Sequence, residues 1–278
     1  MGQSGEYLLG ASLTERERLL KQCEIFEPEA RWLLDHVGIQ PGWRVVDVGC
    51  GPLGIVNLLA ERVGPTGKVV GYERDSQMLE WLRGSVAERK LTNVEPIQGD
   101  ASAIDLPANS FDFVHTRLLL VNVLDPARVL SEMVRLLRPG GILAVQDFDA
   151  VSWTCEPSHP AWDRLLWAVS TIWPEGGDLC IGRRLPGLLR AAGLVEVGVE
   201  VQVRVWRPGD LYQTLLLHFV ELFWDKILAR RLLTASELAD LVERLRTHLD
   251  DPRTIVLHGL WCRAWGRNGG GGEGSEGR

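Results

Sequence analysis

Long apolar runs are missing from this sequence of 278 residues. No stretch reaches the roughly 18 consecutive apolar residues that a membrane-spanning helix needs. Residues 1–20 also lack a basic region followed by an apolar one, which is the pattern of a secretory signal. We therefore expect no membrane contact and a cytoplasmic location.

Cysteine is scarce, and positive charge is in deficit. The five cysteines are scattered, and none belongs to a C-x-x-C pair or to a Cys/His cluster with metal-ligand spacing. We expect free thiols in a reducing cytoplasm and no bound metal. Thirty basic residues against 37 acidic ones give a net charge of −7, which argues against nucleic acid as a partner.

The chain does contain a strand–turn–helix signature. A β-branched run ends in Asp47, and a helical pattern begins at Ile55. The turn between them holds three glycines in the spacing G-x-G-x-x-G, namely Gly49, Gly51 and Gly54. In a dinucleotide site, an acid two residues before the first glycine would repel the pyrophosphate. Asp47 would instead attract the sulfonium and ammonium groups of S-adenosylmethionine (SAM), so the turn predicts a SAM site rather than an NAD site.

Further strand-terminal acids follow in order. Glu73 ends the next β-branched run, 26 residues after Asp47, close to the interval of about 20 residues at which a ribose-binding carboxylate is expected. Asp100 ends a third strand and is suited to accept a hydrogen bond from the adenine amino group. Two more strands are predicted at residues 111–115 and 138–147.

These five ordered motifs resemble the class I SAM-dependent methyltransferases, in the small-molecule branch typified by the enzymes of ubiquinone and menaquinone biosynthesis. The resemblance covers roughly residues 40–150. It implies a Rossmann-like α/β fold, with a seven-stranded sheet in the order 3-2-1-4-5-7-6, its last strand antiparallel, and helices on both faces. It also implies SAM as the cofactor and S-adenosylhomocysteine (SAH) as its product.

The resemblance further implies where the cofactor is held, with its methionine part along the glycine turn and its ribose and adenine at the next two strand ends. The full set of expected contacts is Asp47, Gly49, Cys50, Gly51, Glu73, Arg74, Met78, Asp100, Ala101, Thr116, Tyr7 and Gln22. The last two belong to an N-terminal helical lid, residues 1–40, that closes over the cofactor. The alternative is that Tyr7 lies in a frayed terminus and Gln22 on a solvated face.

The remaining chain divides into three further parts. Residues 41–150 form the SAM-binding core, and residues 151–266 complete the sheet with two helical insertions, at about 151–185 and 209–250. One long strand is predicted within residues 194–206, because valines alternate there from 195 to 205. Residues 267–278 are mostly glycine, serine and charge, which predicts a disordered tail.

Tryptophan is concentrated late in the chain, with eight of the 11 residues after position 150. Two aromatic-rich insertions indicate a deep apolar pocket and a flat or hydrophobic acceptor. Core packing and oligomer contacts are the competing explanations, and the chain is expected to be a monomer or a homodimer. The candidate pocket residues are Arg117, Asp147, Trp153, Trp162, His218 and Trp224. Arg117 has a structural alternative, which is an ion pair with Asp112 or Asp147.

His115 and His159 are the candidate catalytic bases, and His218 is a weaker one. A histidine directly after an apolar strand is often structural, so we expect alignment of the reactants to supply most of the rate. The leading hypothesis is methyl transfer to an O, N or C atom of a small apolar metabolite in specialised metabolism. The alternatives are a SAM-binding enzyme of non-methylating cyclisation or rearrangement, and a non-catalytic SAM-binding protein.

Overall fold

The computed structural model describes residues 13–270 of the chain. The expected contact at Tyr7 and most of the expected tail lie outside the described residues. The strands of the described part are β1 (Arg44–Val48), β2 (Lys68–Glu73), β3 (Val94–Gln98), β4 (Phe111–Arg117), β5 (Leu137–Asp149), β6 (Thr154–Glu156), β7 (Leu194–Gln202), β8 (Val205–Trp206), β9 (Ile255–Leu257) and β10 (Leu260–Asn268).

Helices separate most of these strands. They are α1 (Leu13–Ile25), α2 (Glu27–Val37), α3 (Val56–Val63), α4 (Ser76–Glu88), α5 (Pro126–Leu136), α6 (Pro160–Ile172), α7 (Leu185–Ala191), α8 (Leu215–Leu222), α9 (Trp224–Ala229) and α10 (Ala235–Leu249). Asp75 and Asp125 accept hydrogen bonds from backbone N–H groups in the first turns of α4 and α5. Thr234 and Glu237 form a capping box at the start of α10.

Seven strands form the main sheet, in the order β3-β2-β1-β4-β5-β10-β7. Neighbouring strands are parallel as far as β5, whereas β10 runs antiparallel to both β5 and β7. Because β7 and β10 are its sixth and seventh strands along the chain, this is the order 3-2-1-4-5-7-6, and the Rossmann-like fold is confirmed. The carboxyl ends of the parallel strands meet at one edge, where such folds bind their ligands.

The two faces of the sheet are covered by different apolar clusters. Val45 belongs to the cluster that α2, α3 and α4 build through residues such as Leu33 and Leu59. Its neighbour Val46 belongs to a larger cluster, to which α5, α6, α7 and α8 contribute. Successive residues of β1 are therefore buried on opposite faces, as in other parallel sheets with helices on both sides.

The valine alternation at residues 194–206 does not form one strand, which corrects the sequence-based expectation. β7 ends at Gln202, and β8 pairs with β9 in a second sheet of order β6-β9-β8. β7 lies at the edge of the main sheet, where Val195, Val199 and Val201 are 45–49% exposed. The chain leaves this edge to pair with β9, and α8, α9 and α10 are inserted between β8 and β9.

An aromatic cluster fills the corner between the two sheets. Five rings surround the imidazole of His258, with centroids 4.8–6.4 Å away: Phe26, Phe148, Trp153, Trp206 and Tyr212. Trp153 also packs edge-to-face against Trp162, and both tryptophans are buried. Because other rings enclose them, Trp153 and Trp162 are core residues, which corrects the expectation that they line the acceptor pocket.

Several features bear on metals, disulfides and membranes. All five cysteines are free thiols. Among residues 13–270, no group of three or more His, Cys, Asp or Glu side chains is arranged to hold a metal ion. The same residues include no helix with the length and hydropathy to cross a bilayer.

The buried His258 predicts a loss of stability in acid. Burial lowers its pKa to about 3, whereas the unfolded chain takes up this proton near pH 6.5. Below that pH the unfolded state binds more protons, so stability falls by about 1.4 kcal/mol per pH unit until the folded pKa is reached. We expect His258→Phe, which keeps a ring in the cluster, to flatten the fall between pH 6.5 and 4.5 in urea unfolding. If the two proteins gave parallel curves of unfolding free energy against pH, His258 would not be the cause of the loss of stability in acid.

Candidate functional site

The turn after β1 has a backbone conformation that requires glycine. Gly49, Gly51 and Gly54 have φ values of +70°, +57° and +56°, the left-handed region that glycine enters without steric cost. A Cβ atom at Gly54 would lie 2.2 Å from the Asp47 carboxylate, and one at Gly49 would lie 3.0 Å from the Leu119 side chain. A Cβ at Gly51 would meet nothing within 4 Å. The turn therefore forms a cradle that is open at Gly51.

Asp47 supports this cradle from beneath. Its Oδ2 accepts a hydrogen bond from the Ile55 N–H at 2.9 Å, and its Oδ1 lies 2.7 Å from His115 Nδ1. The other ring nitrogen of His115 lies 3.3 Å from the side-chain amide of Gln146, and the ring is fully buried. His115 is enclosed in the scaffold, which corrects the prediction that it acts as a base on an acceptor.

Glu73 reaches from the end of β2 to the same turn. Its Oε2 accepts a hydrogen bond from the Gly51 N–H at 2.9 Å. Its Oε1 accepts from the backbone N–H groups of Arg74 and Asp75 at 2.8 and 2.9 Å. Burial raises the pKa of this carboxyl. The carboxylate is thus fixed beside Gly51 at the open side of the cradle, and its contact with the ribose stays a prediction.

Asp100 is brought beside the end of β2 by the pairing of β3 with β2. Its Oδ1 accepts hydrogen bonds from the N–H and the hydroxyl of Ser102 at 2.8 and 2.7 Å. The preceding Gly99 packs so closely that a Cβ there would lie 1.8 Å from the Tyr72 hydroxyl. The close packing of these strand ends holds Asp100 at the edge where adenine is expected.

Three expected cofactor residues have side chains directed into the scaffold. The Cys50 thiol packs under Gly71, and burial raises its pKa well above the usual value. The Thr116 hydroxyl donates to the Val48 carbonyl at 2.8 Å, and Met78 is buried on α4. These side chains support the turn and the sheet, and the expected contacts of the three residues with the cofactor stay predictions.

Gln22 on α1 is also engaged elsewhere. Its Oε1 accepts hydrogen bonds from the Tyr212 hydroxyl at 2.6 Å and from Arg18 Nη1 at 3.1 Å. It therefore joins the first helix to the segment before α8, and its expected contact with the cofactor stays a prediction. Ala101 and Arg74, half-buried and exposed, lie at the carboxyl ends of β3 and β2, and their contacts with the cofactor stay predictions.

The segment after β4 leads from the glycine turn to the acceptor side. Leu118 has a φ of +53°, a strained value for leucine that is typical of functional sites. This turn places Leu119 against the glycine turn. The backbone of Val121 is then held on both sides of its Cα atom. Its N–H donates to Asp147 Oδ2, and its carbonyl accepts from Trp173 Nε1, both at 3.1 Å.

Asp147 is the buried anchor of this segment. Its second oxygen, Oδ1, accepts a hydrogen bond from the Phe148 N–H at 2.9 Å. Burial raises its pKa to about 7. Because backbone N–H groups engage both oxygens, Asp147 positions the segment and does not line a pocket, which corrects the sequence-based prediction.

A cavity of about 670 Å³ lies beside this segment. Its walls come from the segment after β4, the turn after β5, α6 and the loop before α7. Leu124 and Val151 at these walls are 70% and 58% exposed. Arg183 and Arg184 also line the cavity, each with a carboxylate partner. Its volume suits a small molecule.

The cavity walls include none of the residues predicted for the acceptor pocket, namely Arg117, Asp147, Trp153, Trp162, His218 and Trp224. Trp224 is half-buried against the core. His218 lines a separate cavity of about 140 Å³ between α1 and α8. The sequence signal for the walls of the larger cavity is weak, since only the turn-forming stretch 174–178 indicates a loop there.

His159 is not among the residues that line this cavity. Its Nδ1 accepts a hydrogen bond from the Ala161 N–H and caps the start of α6, and its ring stacks on His248 at 4.6 Å. Trp173, which binds the segment after β4, directly follows the 13 residues of α6, about 20 Å away along the helix. The structure therefore does not bring His159 to the site, which corrects its prediction as a base.

Comparisons with known proteins agree with this geometry. A family profile described as a methyltransferase domain matches residues 39–171. Demethylmenaquinone methyltransferase of Listeria monocytogenes is 41% identical over 128 residues, 46% of this chain and 52% of the relative. The enzyme of the same name from Geobacillus stearothermophilus is 40% identical over 197 residues, 63% of this chain and 82% of the relative.

A solved structure, a SAM-dependent methyltransferase from Aquifex aeolicus, has the same fold with a TM-score of 0.51 and 24% identity, covering 71% of this chain and 93% of that one. This chain belongs to the class I SAM-dependent methyltransferases, in the small-molecule branch that includes the demethylmenaquinone enzymes, and SAM is the cofactor of that family. The chain spans about half the length of the Listeria relatives that it matches.

Two glycine variants test the cradle. Gly51→Ala and Gly54→Ala add the same methyl group at nearly the same φ, so both should lose about 1–2 kcal/mol of unfolding free energy to backbone strain. Only Gly54→Ala meets the Asp47 carboxylate, and we expect it to lose about 1–3 kcal/mol more in urea unfolding. Gly51→Ala should instead weaken SAH binding in calorimetry. Equal unfolding midpoints for the two variants would contradict the role of Asp47.

Proposed function

We propose that this protein transfers the methyl group of SAM to an apolar small molecule held in the 670 Å³ cavity. The observation that carries the proposal is the segment after β4. It contacts the glycine turn through Leu119 and lines the cavity through Val123 and Leu124. Within five residues the chain thus passes from the cofactor cradle to the acceptor space.

The residues of the cradle fit SAM. The open side at Gly51 leaves room for a ligand, and the fixed carboxylate of Glu73 offers acceptor oxygens for ribose hydroxyls. When bound, SAM supplies an electrophilic methyl group, which an electron pair of the acceptor takes as the carbon–sulfur bond breaks to leave SAH. The protein aligns the two molecules and excludes water, and such orientation can contribute up to about 7–11 kcal/mol.

We infer that none of the three candidate histidines serves as the base. His115 is buried against Asp47, His159 caps α6, and His218 lines another cavity. A general base would contribute about 3–5 kcal/mol, and it matters chiefly when the acceptor must lose a proton. An electron-rich carbon acceptor agrees best with this arrangement, because its ring can attack the methyl group first and release the displaced proton to water afterwards.

The names of the relatives guide the choice of acceptor. Both are demethylmenaquinone methyltransferases, so we propose an aromatic quinol with an apolar side chain as the first acceptor class to test. The expected role in specialised metabolism has no support in these relatives. The apolar walls Leu124 and Val151 suit the ring or side chain of such a molecule.

The direct test is a methyl-transfer assay. The purified protein is incubated with SAM carrying a labelled methyl group and with reduced demethylmenaquinone, hydroxynaphthalenes or simple phenols. The expected result is label in an extracted aromatic product together with an equal amount of SAH. If SAH binds but none of these acceptors yields labelled product or SAH, the proposal of methyl transfer to such compounds fails, and a non-methylating use of the cofactor gains weight.

A cavity-filling variant tests the acceptor site. Ser170 lines the cavity on α6, so Ser170→Trp should lower turnover about tenfold or more with unchanged affinity for SAH. Ser131→Trp, on the exposed face of α5, is the matched control and should leave turnover unchanged. An acceptor site elsewhere would be indicated if Ser170→Trp retained full turnover.

A further inference from the structure

Arg117 is a buried cation at the end of β4. Its side chain is only 8% exposed. Nη2 donates a hydrogen bond to the Gly54 carbonyl at 3.1 Å, whereas Nη1 is buried and has no hydrogen-bond partner among residues 13–270. A buried charge is costly unless an opposite charge and hydrogen bonds compensate it.

The carboxylates expected to pair with Arg117 are engaged elsewhere. Asp112 pairs with Arg138 at 2.6 Å and accepts a hydrogen bond from the Arg44 N–H. Asp147 is bonded to two backbone N–H groups. The structural alternative from the sequence, an ion pair of Arg117 with one of these acids, is therefore wrong.

The other groups near Arg117 do not bind its Nη1. Both oxygens of Asp47 are engaged, by His115 and by the Ile55 N–H. The thiol of Cys23 on α1 lies close to the guanidinium, but burial raises its pKa and keeps it uncharged. Among the described residues, no carboxylate therefore forms an ion pair or a hydrogen bond with Arg117, and Nη1 stays without a partner.

Arg117 lies beside the methionine end of the expected cofactor site. Thr116 is paired with Val48, so Arg117 is at the level of Gly49, and its hydrogen bond ties it to Gly54 at the far end of the same turn. SAM and SAH each carry one anionic group, the α-carboxylate of the methionine or homocysteine part. A guanidinium N–H is a strong donor for a carboxylate.

We propose that Nη1 of Arg117 binds the α-carboxylate of SAM and SAH. This inference rests on the proposed function only in that SAM is the cofactor. It moves Arg117 from the acceptor pocket to the cofactor, as a binding residue that selects ligands with an amino-acid end. Glu73 and Asp100, at the ends of the next two strands, are then expected to hold the nucleoside part independently.

The test compares two ligands by calorimetry on the full chain. SAH has the amino-acid end, and 5′-methylthioadenosine has the same nucleoside and sulfur without it. We expect Arg117→Met to weaken SAH binding about 10- to 100-fold and to leave methylthioadenosine affinity within about twofold. Arg117→Lys, which keeps the charge and tests the proposal if the Met variant does not fold, should retain part of the preference for SAH.

Arg138→Met is the matched control, because Arg138 forms an ion pair at the edge of the fold and is half-exposed. It should change neither affinity. Equal losses for both ligands in the Arg117 variants would show a structural role and overturn the proposal. Unchanged SAH affinity would overturn it as well, including the case in which only acceptor turnover falls.

The outcomes for the two proposals are separable. A loss confined to SAH, without methylation of any acceptor, would support the carboxylate contact and contradict the proposed function. Methylation of an acceptor, together with an SAH affinity that the Arg117 substitutions leave unchanged, would support the proposed function and contradict the carboxylate contact. Failure of the wild-type protein to bind either ligand would overturn both.

Discussion

One buried carboxylate, that of Asp47, holds the cofactor side together. Its two oxygens join the start of α3 to the core of the sheet, through the Ile55 N–H and the ring of His115. Because the carboxylate lies directly under Gly54, that position has no room for a side chain. The turn consequently adopts the left-handed conformation and stays open at Gly51. The hydrogen bonds of Asp47 thus shape the ligand cradle from the side that faces away from the ligand.

The proposed acceptor cavity depends on two further acids, which lie at the end of β5. Asp147 binds the backbone of the segment after β4, and Asp149 accepts hydrogen bonds from the backbone N–H and the guanidinium of Arg183. These contacts fix two walls of the cavity relative to the sheet. Apolar side chains can then line the space without having to define its shape, which suits a site whose catalysis rests on alignment.

The sequence predicted the fold because its signals there are local. Strand-terminal acids at residues 47, 73 and 100 follow β-branched runs, and glycine spacing marks the turn between them. Trp153 and Trp162 were expected to line the acceptor pocket, but they pack edge-to-face against each other in the core, and Trp153 also contacts His258, because the burial of aromatic rings depends on distant partners. His115 lies at the expected place in the chain, but on the neighbouring strand β1 the carboxylate of Asp47 binds its ring within the scaffold.

The sequence by itself determined the cofactor turn and the acids at its rim, since these follow from periodicity or from steric limits within a few residues, whereas the order of the strands came from the resemblance to the methyltransferase family. Only the tertiary structure decided which polar side chains are satisfied. Arg117 was predicted to have a carboxylate partner, and the packing assigned both candidate acids to other groups. The cavity likewise arises where four segments from separate parts of the chain meet, and that enclosure depends on long-range packing that no local pattern records.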